Sequence, residues 1–189
     1  MINFKYSYIL SFLLLSSILF SNFFQISFQH WSAIIDNDIQ YIFDTILVSS
    51  NIDQTMKDHP GFTNYFFFSI IVKSVNLFNH NLIYDLNEVI SLKNPNSTIE
   101  NIFITLRTVN SFFCYFFVIY FYKNLKCFEI KKNLRLLITS ILVFSEFFLD
   151  ALFRMNSDIT ACLFFLVSNY YLITYFKKNK NYRIFLSGF

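Results

Sequence analysis

Acidic side chains are concentrated between residues 34 and 62, where the sequence reads IIDNDIQYIFDTILVSSNIDQTMKDHPGF and holds five aspartates. Asp36 and Asp38 come just before an apolar pattern with helical spacing. A carboxylate at such a helix start, at the boundary of water and lipid, can take a proton from an attacking hydroxyl group. Lys57 can hold a phosphate through charge-assisted hydrogen bonds. The segment therefore predicts general-base chemistry on a lipid-phosphate substrate.

The same acids also have a purely structural interpretation. Asp36 can be the N-cap of a helix that begins near Asp38, and the negative charge of Asp38 can stabilise the positive N-terminal end of that helix. Four apolar residues predict that this helix is amphipathic and lies on the outer membrane surface, because they fall on one face: Ile39, Ile42, Phe43 and Ile46. The pattern alone leaves the catalytic and the structural interpretation open.

The composition indicates a membrane protein. Of the 189 residues, 55% are hydrophobic and only 14% are charged, whereas soluble domains carry about 25% charged residues. The mean hydropathy is +0.46. The net charge of +3 is small and the basic residues form short patches, which argues against nucleic acid as a partner. The three cysteines form no CxxC motif or Cys/His cluster, which argues against a disulfide framework or a zinc site.

Four segments are apolar and long enough to cross a bilayer as helices, which takes about 20 residues: residues 8–28, 102–122, 134–153 and 159–176. We therefore expect an all-α polytopic bundle of about four spans. Basic residues between 123 and 135 and after 176 predict that these ends are cytoplasmic, as is the N-terminus. Residues 29–101 are then an extracytoplasmic loop.

Segment 62–78 is predicted to lie in the membrane interface instead of crossing, since a crossing would reverse this orientation. Its polar residues form one stripe on an apolar helix, as an interfacial helix does: Ser69, Lys73, Asn76 and His80. Residues 29–101 are thus expected to hold amphipathic interfacial helices.

Glu146, Asp150 and Arg154 are spaced by four residues in the third predicted span. Charges at membrane depth cost at least about 2.5 kcal/mol each, so the row is expected to face the bundle interior or a watery cavity. Asp150 and Arg154 can form a structural ion pair, or the row can be a polar wall of a site. Asp158 can likewise simply favour the N-terminus of the fourth span.

The motifs resemble those of the GT-C superfamily of membrane glycosyltransferases, in its protein O-mannosyltransferase and aminoarabinose-transferase-like branch. That branch has Asp-Glu followed by His-Pro-Pro, and here Asp36-Asn37-Asp38 is followed by Asp58-His59-Pro60-Gly61. Arg107 resembles the family's Arg-leading second helix, and FRMNSD resembles its short segment with an acid at the next helix start, which brings in Arg154 and Asp158. The resemblance covers residues 1–189 as the N-terminal part of a longer transmembrane domain.

The resemblance implies transfer of a sugar from a polyprenyl-phosphate carrier to an acceptor at the extracytoplasmic face. Asp36 or Asp38 would be the base. Residues that would contact substrate are Lys57, Asp58, His59, Arg107, Arg154 and Asp158. The implied partners are membrane lipid and the lipid-linked sugar, a divalent metal is an open option, and the expected location is the bacterial inner membrane. The alternative is a non-enzymatic membrane protein, either a transporter or flippase fragment or a scaffold.

Overall fold

The computed structural model describes residues 11–21, 23–24, 36–55, 62–78, 85–93, 95–155 and 157–178. This part of the chain is helical and holds no strand, which confirms the all-α prediction. The helices are α1 (Ser11–Ser21), α2 (Asp36–Ser49), α3 (Phe62–Phe78), α4 (Leu86–Ser91), α5 (Asn96–Cys127), α6 (Lys132–Val143), α7 (Glu146–Phe153) and α8 (Ser157–Lys178). They form two compact units, Leu19–Asn110 and Met1–Ile18 with Ser111–Phe189.

In the unit Leu19–Asn110, α2 packs against α3. The Tyr41 ring lies 5.0 Å from that of Tyr65 and 6.3 Å from that of Phe68. Of the predicted apolar face of α2, Ile42 and Ile46 are buried, while Ile39 and Phe43 are 39% and 43% exposed. The buried face is instead completed by Tyr41, Leu47 and three polar residues, Asp44, Thr45 and Ser49.

The end of α2 is fixed by its own backbone. Asn51 has a φ of 59°, its N–H donates to the carbonyl of Val48, and the N–H of Ile52 donates to that of Leu47. This is the Schellman pattern, and asparagine is one of the few residues that tolerate the left-handed conformation it needs. The chain therefore turns sharply and returns as the segment 52–55.

The unit with Ser111–Phe189 has a clear helix register. Along α5, Cys114 Sγ lies 3.6 Å from the carbonyl oxygen of Ala151, and the Phe117 ring lies 6.2 Å from that of Phe148. Contacts from α5 thus meet α7 in descending order, so α7 runs antiparallel to α5. The core of this unit also contains Ile159 and Leu163 of α8, which are buried in the same cluster.

The helices α5 and α8 are parallel, because Cys114 in the middle of α5 shares a buried cluster with Ile159 and Leu163 near the start of α8, whereas the last turns of α5 contact the later part of α8. The rings of Tyr120 and Tyr170 are 5.8 Å apart, and Asn169 Nδ2 donates to Asn124 Oδ1 at 2.9 Å. Asn124 Nδ2 donates to the carbonyl oxygen of Leu166 at 2.8 Å. Further along, Lys177 Nζ donates to the carbonyl oxygen of Cys127 at 2.8 Å.

Two of the described helices, α5 and α8, are long and apolar enough to cross a membrane, and the pair α6 and α7 adds a third if it forms one broken span. At 1.5 Å per residue α5 and α8 are about 48 and 33 Å long, against a hydrocarbon core of about 30 Å. This is consistent with a membrane protein. Of the four predicted spans, the second and fourth match these helices, and the described part of the first is the shorter apolar helix Ser11–Ser21.

The third predicted span is broken, with α6 and α7 bent by 56°. Ser145 explains the break because its hydroxyl accepts from the N–H of Phe148 at 3.3 Å and donates to the carbonyl of Leu142 at 2.6 Å. A side chain that caps a new helix inside an apolar segment ends the preceding one, as serine does at many kinks. Glu146 thereby falls in the first turn of α7 and not in the middle of a span.

Candidate functional site

The polar centre of the unit Leu19–Asn110 is the carboxylate of Asp44, which is fully buried. Its Oδ1 accepts from both the backbone N–H and the hydroxyl of Thr55, each at 2.9 Å. Its Oδ2 accepts from Gln40 Nε2 at 2.8 Å, and Gln40 also donates to the Thr55 hydroxyl. A buried charge is tolerated only with such hydrogen bonds. Asp44 therefore ties the returning segment 52–55 onto α2.

A cleft of 630 Å³ lies where this returning segment faces α3. The loop contributes Asn51, Asp53 and Gln54 to its lining, and α3 contributes Ser69 and Lys73 next to the apolar wall. Small-molecule sites have this character, apolar surface with a few polar groups. The lining of the cleft thus contains one carboxylate, one ammonium group and two side-chain amides.

Two residues of the polar stripe predicted on α3, Ser69 and Lys73, line this cleft. Ser69 is buried and Lys73 is half-buried, and both line the cleft. The exposed positions of α3 are mainly apolar, among them Phe67 at 40% and Leu77 at 75%, and the polar Ser74 is exposed as well. His80 lies outside the described residues. A helix on a water-exposed surface buries its apolar face and exposes its polar face. In α3, polar residues of the stripe point inward and large apolar residues are exposed.

Tyr65 of α3 lies beside the same network. Burial is the main cause that raises the pKa of Tyr65 to about 12, and the nearby Tyr41 and Asp44 add to the effect. The phenol is therefore neutral at physiological pH and can act as a hydrogen-bond donor. Next to it, the Nδ2 group of Asn64 is buried and makes no hydrogen bond within the described part of the chain.

Of the predicted catalytic residues, the structure describes only the backbone. The helix α2 begins at Asp36, two residues before the predicted start near Asp38, so Asp36 is its first helical residue and Asp38 lies in its first turn. Their side chains lie outside the described residues, as do Lys57, Asp58 and His59 entirely. The position of the predicted base relative to these three residues therefore stays a prediction.

Arg107 is 1% exposed, and its Cζ lies 4.9 Å from the centre of the Phe103 ring. It does not open a helix as the sequence pattern predicted, because α5 already begins at Asn96. A guanidinium buried in this way is held by partners in the fold, and stacking on an aromatic ring is one such contact.

Arg154 and Asp150 form the ion pair that their spacing predicted, with 2.9 Å between Nε and Oδ1. Arg154 is the C-cap of α7 and has an extended backbone. Of the three residues in the predicted row, only Glu146 and Asp150 therefore lie within the helix. The two side chains are 43% and 40% exposed, and an exposed pair contributes at most about 1 kcal/mol. Asp158 is exposed in the first turn of α8, where it favours the helix dipole.

Asp44 is the main polar residue that the sequence patterns missed. It was one of five aspartates in the acidic segment, and only Asp36, Asp38 and Asp58 were given a role. One signal was present, because Gln40 and Asp44 are four residues apart and such pairs meet on a helix. The third partner, Thr55, is eleven residues further on and comes close only through the turn at Asn51.

Comparison with known proteins found no family model, no curated protein and no solved structure that matches the chain. Within the described ranges, no three His, Cys, Asp or Glu residues lie close enough together to hold a metal ion. The cleft itself has one carboxylate in its lining, Asp53, and divalent cations such as Ca²⁺ take six to eight oxygen ligands.

Proposed function

We propose that the chain belongs to a GT-C-type membrane glycosyltransferase, which moves a sugar from a polyprenyl-phosphate carrier to an acceptor at the extracytoplasmic membrane face. One observation carries the proposal. The helix α2 begins at Asp36, and Tyr41 holds it against Tyr65 of α3. The positive end of an anchored helix favours an ionised carboxylate, and that is the protonation state that a general base needs.

In the proposed reaction, Asp36 or Asp38 takes the proton of the acceptor hydroxyl as its oxygen bonds to the anomeric carbon of the sugar. The bond from that carbon to the carrier phosphate breaks, and the phosphate leaves with the electron pair. Cationic side chains would stabilise the leaving phosphate, with Lys57, His59 and Arg107 in this role. Asp58, Arg154 and Asp158 would support substrate binding. A divalent metal remains an option for the leaving phosphate.

The proposal is tested with membranes that contain the protein, polyprenyl-phosphate sugars labelled in the sugar, and the lipid-free fraction of the same cells as acceptor. We expect transfer by the natural sequence, and a loss of about 10²- to 10⁴-fold in Asp36→Asn or Asp38→Asn, whichever is the base. Glu88→Gln is the matched control, because Glu88 is an exposed acid on the short helix α4. Full transfer by the double variant Asp36→Asn, Asp38→Asn at a normal membrane level would refute the proposal.

A second candidate is a transporter or flippase, and the break between α6 and α7 favours it. Transporters use interrupted helices at the depth where substrate binds, and here the interruption at Ser145 arises without glycine or proline. In vesicles that contain the purified protein, movement of a labelled lipid between leaflets without sugar transfer would favour this candidate. Transfer that depends on Asp36 or Asp38 would exclude it.

A further inference from the structure

Three helix ends meet on one side of the unit that contains Ser111–Phe189. Lys177 near the end of α8 reaches the end of α5, where its Nζ lies 2.8 Å from the carbonyl oxygen of Cys127 and 2.8 Å from Glu129 Oε1. Arg135 in the first turns of α6 stacks on Tyr122 of α5, with its Cζ 5.0 Å from the ring centre. The end of α5, the start of α6 and the end of α8 therefore lie together.

These ends carry a surplus of positive charge, which we call the basic pole: Lys123, Lys126, Lys131, Lys132, Arg135 and Lys177. Within described residues 123–135 and 177, the acidic side chain is Glu129, and Lys177 already pairs with it. Lys126, Lys131 and Lys132 are exposed. The basic pole thus presents several cations to its surroundings with little internal compensation.

Two members of the basic pole are held against tyrosine rings. Lys123 Nζ lies 4.6 Å from the ring centre of Tyr120 and 5.6 Å from that of Tyr170. Tyrosine rings gather where an apolar phase meets water. They hold these cations close to the apolar helix surface, which is the depth of lipid phosphate groups and not of bulk water.

Arg135 adds an independent observation, because one of its donors is unsatisfied among the described residues. Its Nε is enclosed and makes no hydrogen bond within the described part of the chain. Buried donors are nearly always paired in folded proteins, and a guanidinium binds phosphate oxygens readily. An acceptor from outside the described residues would satisfy this group.

We propose that the basic pole binds the phosphate groups of anionic glycerophospholipids in the membrane that α5 and α8 cross. The length of α8 would place the basic pole at the depth of the lipid phosphate groups. A helix of about 33 Å spans a hydrocarbon core of about 30 Å with its end among the headgroups, and Lys177 lies one residue before that end. The proposal does not depend on sugar transfer, so the two stand or fall separately.

The test uses the full-length protein in lipid nanodiscs of phosphatidylcholine mixed with about one-third phosphatidylglycerol. Spin-labelled phosphatidylglycerol and phosphatidylcholine report how strongly each lipid associates with the protein. We expect a preference for phosphatidylglycerol that weakens as salt is added, since salt screens the attraction. Removing one exposed cation, in Lys131→Gln, is expected to reduce the preference by about two- to fivefold at low salt.

Matched variants distinguish lipid binding by the basic pole from an effect of the total charge of the protein. Lys93→Gln removes one exposed charge from the other compact unit and is expected to change nothing. Lys131→Arg keeps the charge and is expected to keep the preference. Equal association of the two lipids with the natural sequence, or an equal loss in Lys93→Gln and Lys131→Gln, would overturn the proposal. An acidic protein segment would then be the better partner for the basic pole.

Discussion

Thr55 gives both its backbone N–H and its hydroxyl group to one carboxylate oxygen of Asp44, each over 2.9 Å. The two residues are eleven positions apart, and α2 ends between them. Asp44 is inside a helix and Thr55 is on the segment that returns toward it, so the two hydrogen bonds close a loop around the turn at Asn51. That loop forms one wall of the cleft that α3 completes.

Removal of this carboxylate is expected to loosen the cleft. In Asp44→Asn the amide group would turn a donor toward Thr55 or Gln40, so at least one hydrogen bond is lost in a buried place. Hydrogen bonds to charged groups contribute about 1.5–3 kcal/mol, and we expect a loss of that size in the free energy of unfolding. Thermal denaturation of the protein in detergent measures it. Glu88→Gln is the control, because Glu88 is an exposed acid on α4, and an equal loss in both variants would contradict the assignment.

The raised pKa of Tyr65 predicts a loss of stability in alkaline solution. The folded state holds the proton up to a pKa of about 12, whereas an unfolded tyrosine releases it near 10.0. The stabilisation is therefore complete below pH 10 and disappears between about pH 10 and 12, with a size of about 1–3 kcal/mol. Lysines titrate in the same range, so the measurement is the difference between the natural sequence and Tyr65→Phe across that range. Identical pH profiles for the two would show that Tyr65 ionises normally.

Asn124 is expected to contribute to the pairing of α5 and α8. It is 4% exposed and donates to the carbonyl oxygens of Tyr120 and Leu166 while it accepts from Asn169. Side-chain hydrogen bonds between membrane helices average about 0.6 kcal/mol and reach about 1.7 kcal/mol. A double-mutant cycle with Asn124→Leu and Asn169→Leu, measured by denaturation in detergent, should give a coupling in that range.

The exposed Asn101 of α5 offers a matched control for this cycle, since Asn101→Leu removes an amide that lies on the surface. We expect it to show no coupling to Asn169→Leu. A coupling between Asn124→Leu and Asn169→Leu that is no larger than this control would mean that the bundle holds together through its apolar contacts alone. The aromatic pair Tyr120 and Tyr170, 5.8 Å apart, would then be the stronger link between these helices.

The sequence predicted the long helices well because their signal is local. Residues 102–122 and 159–176 are predominantly apolar, and each lies inside an observed helix, Asn96–Cys127 and Ser157–Lys178. The ion pair of Asp150 and Arg154 was also predictable, since a spacing of four residues brings side chains together on any helix. Even there, the end of α7 at Phe153 was not visible in the spacing.

The parts that the sequence missed depend on contacts between distant residues. The apolar spacing of α2 placed Ile39, Ile42, Phe43 and Ile46 on one face but did not show which of them the fold buries. The packing of Tyr41 on α3 turns the buried face toward Asp44 and leaves Ile39 and Phe43 exposed. The break at Ser145 was missed because one serine in an apolar run is compatible with a continuous helix. Its capping role becomes visible only when the N–H of Phe148 is found 3.3 Å from its hydroxyl oxygen.

The break between α6 and α7 is expected to depend on Ser145. In Ser145→Ala the N–H of Phe148 loses its acceptor, which costs about 1 kcal/mol, and in an apolar environment a continuous helix would satisfy it again. We expect the 56° bend to become smaller. Spin labels at exposed Leu136 and Leu149, in a background without the native cysteines, should therefore move further apart. Ser140→Ala is the control within α6. An unchanged distance in Ser145→Ala would mean that tertiary packing of Phe148, and not the cap, bends this pair of helices.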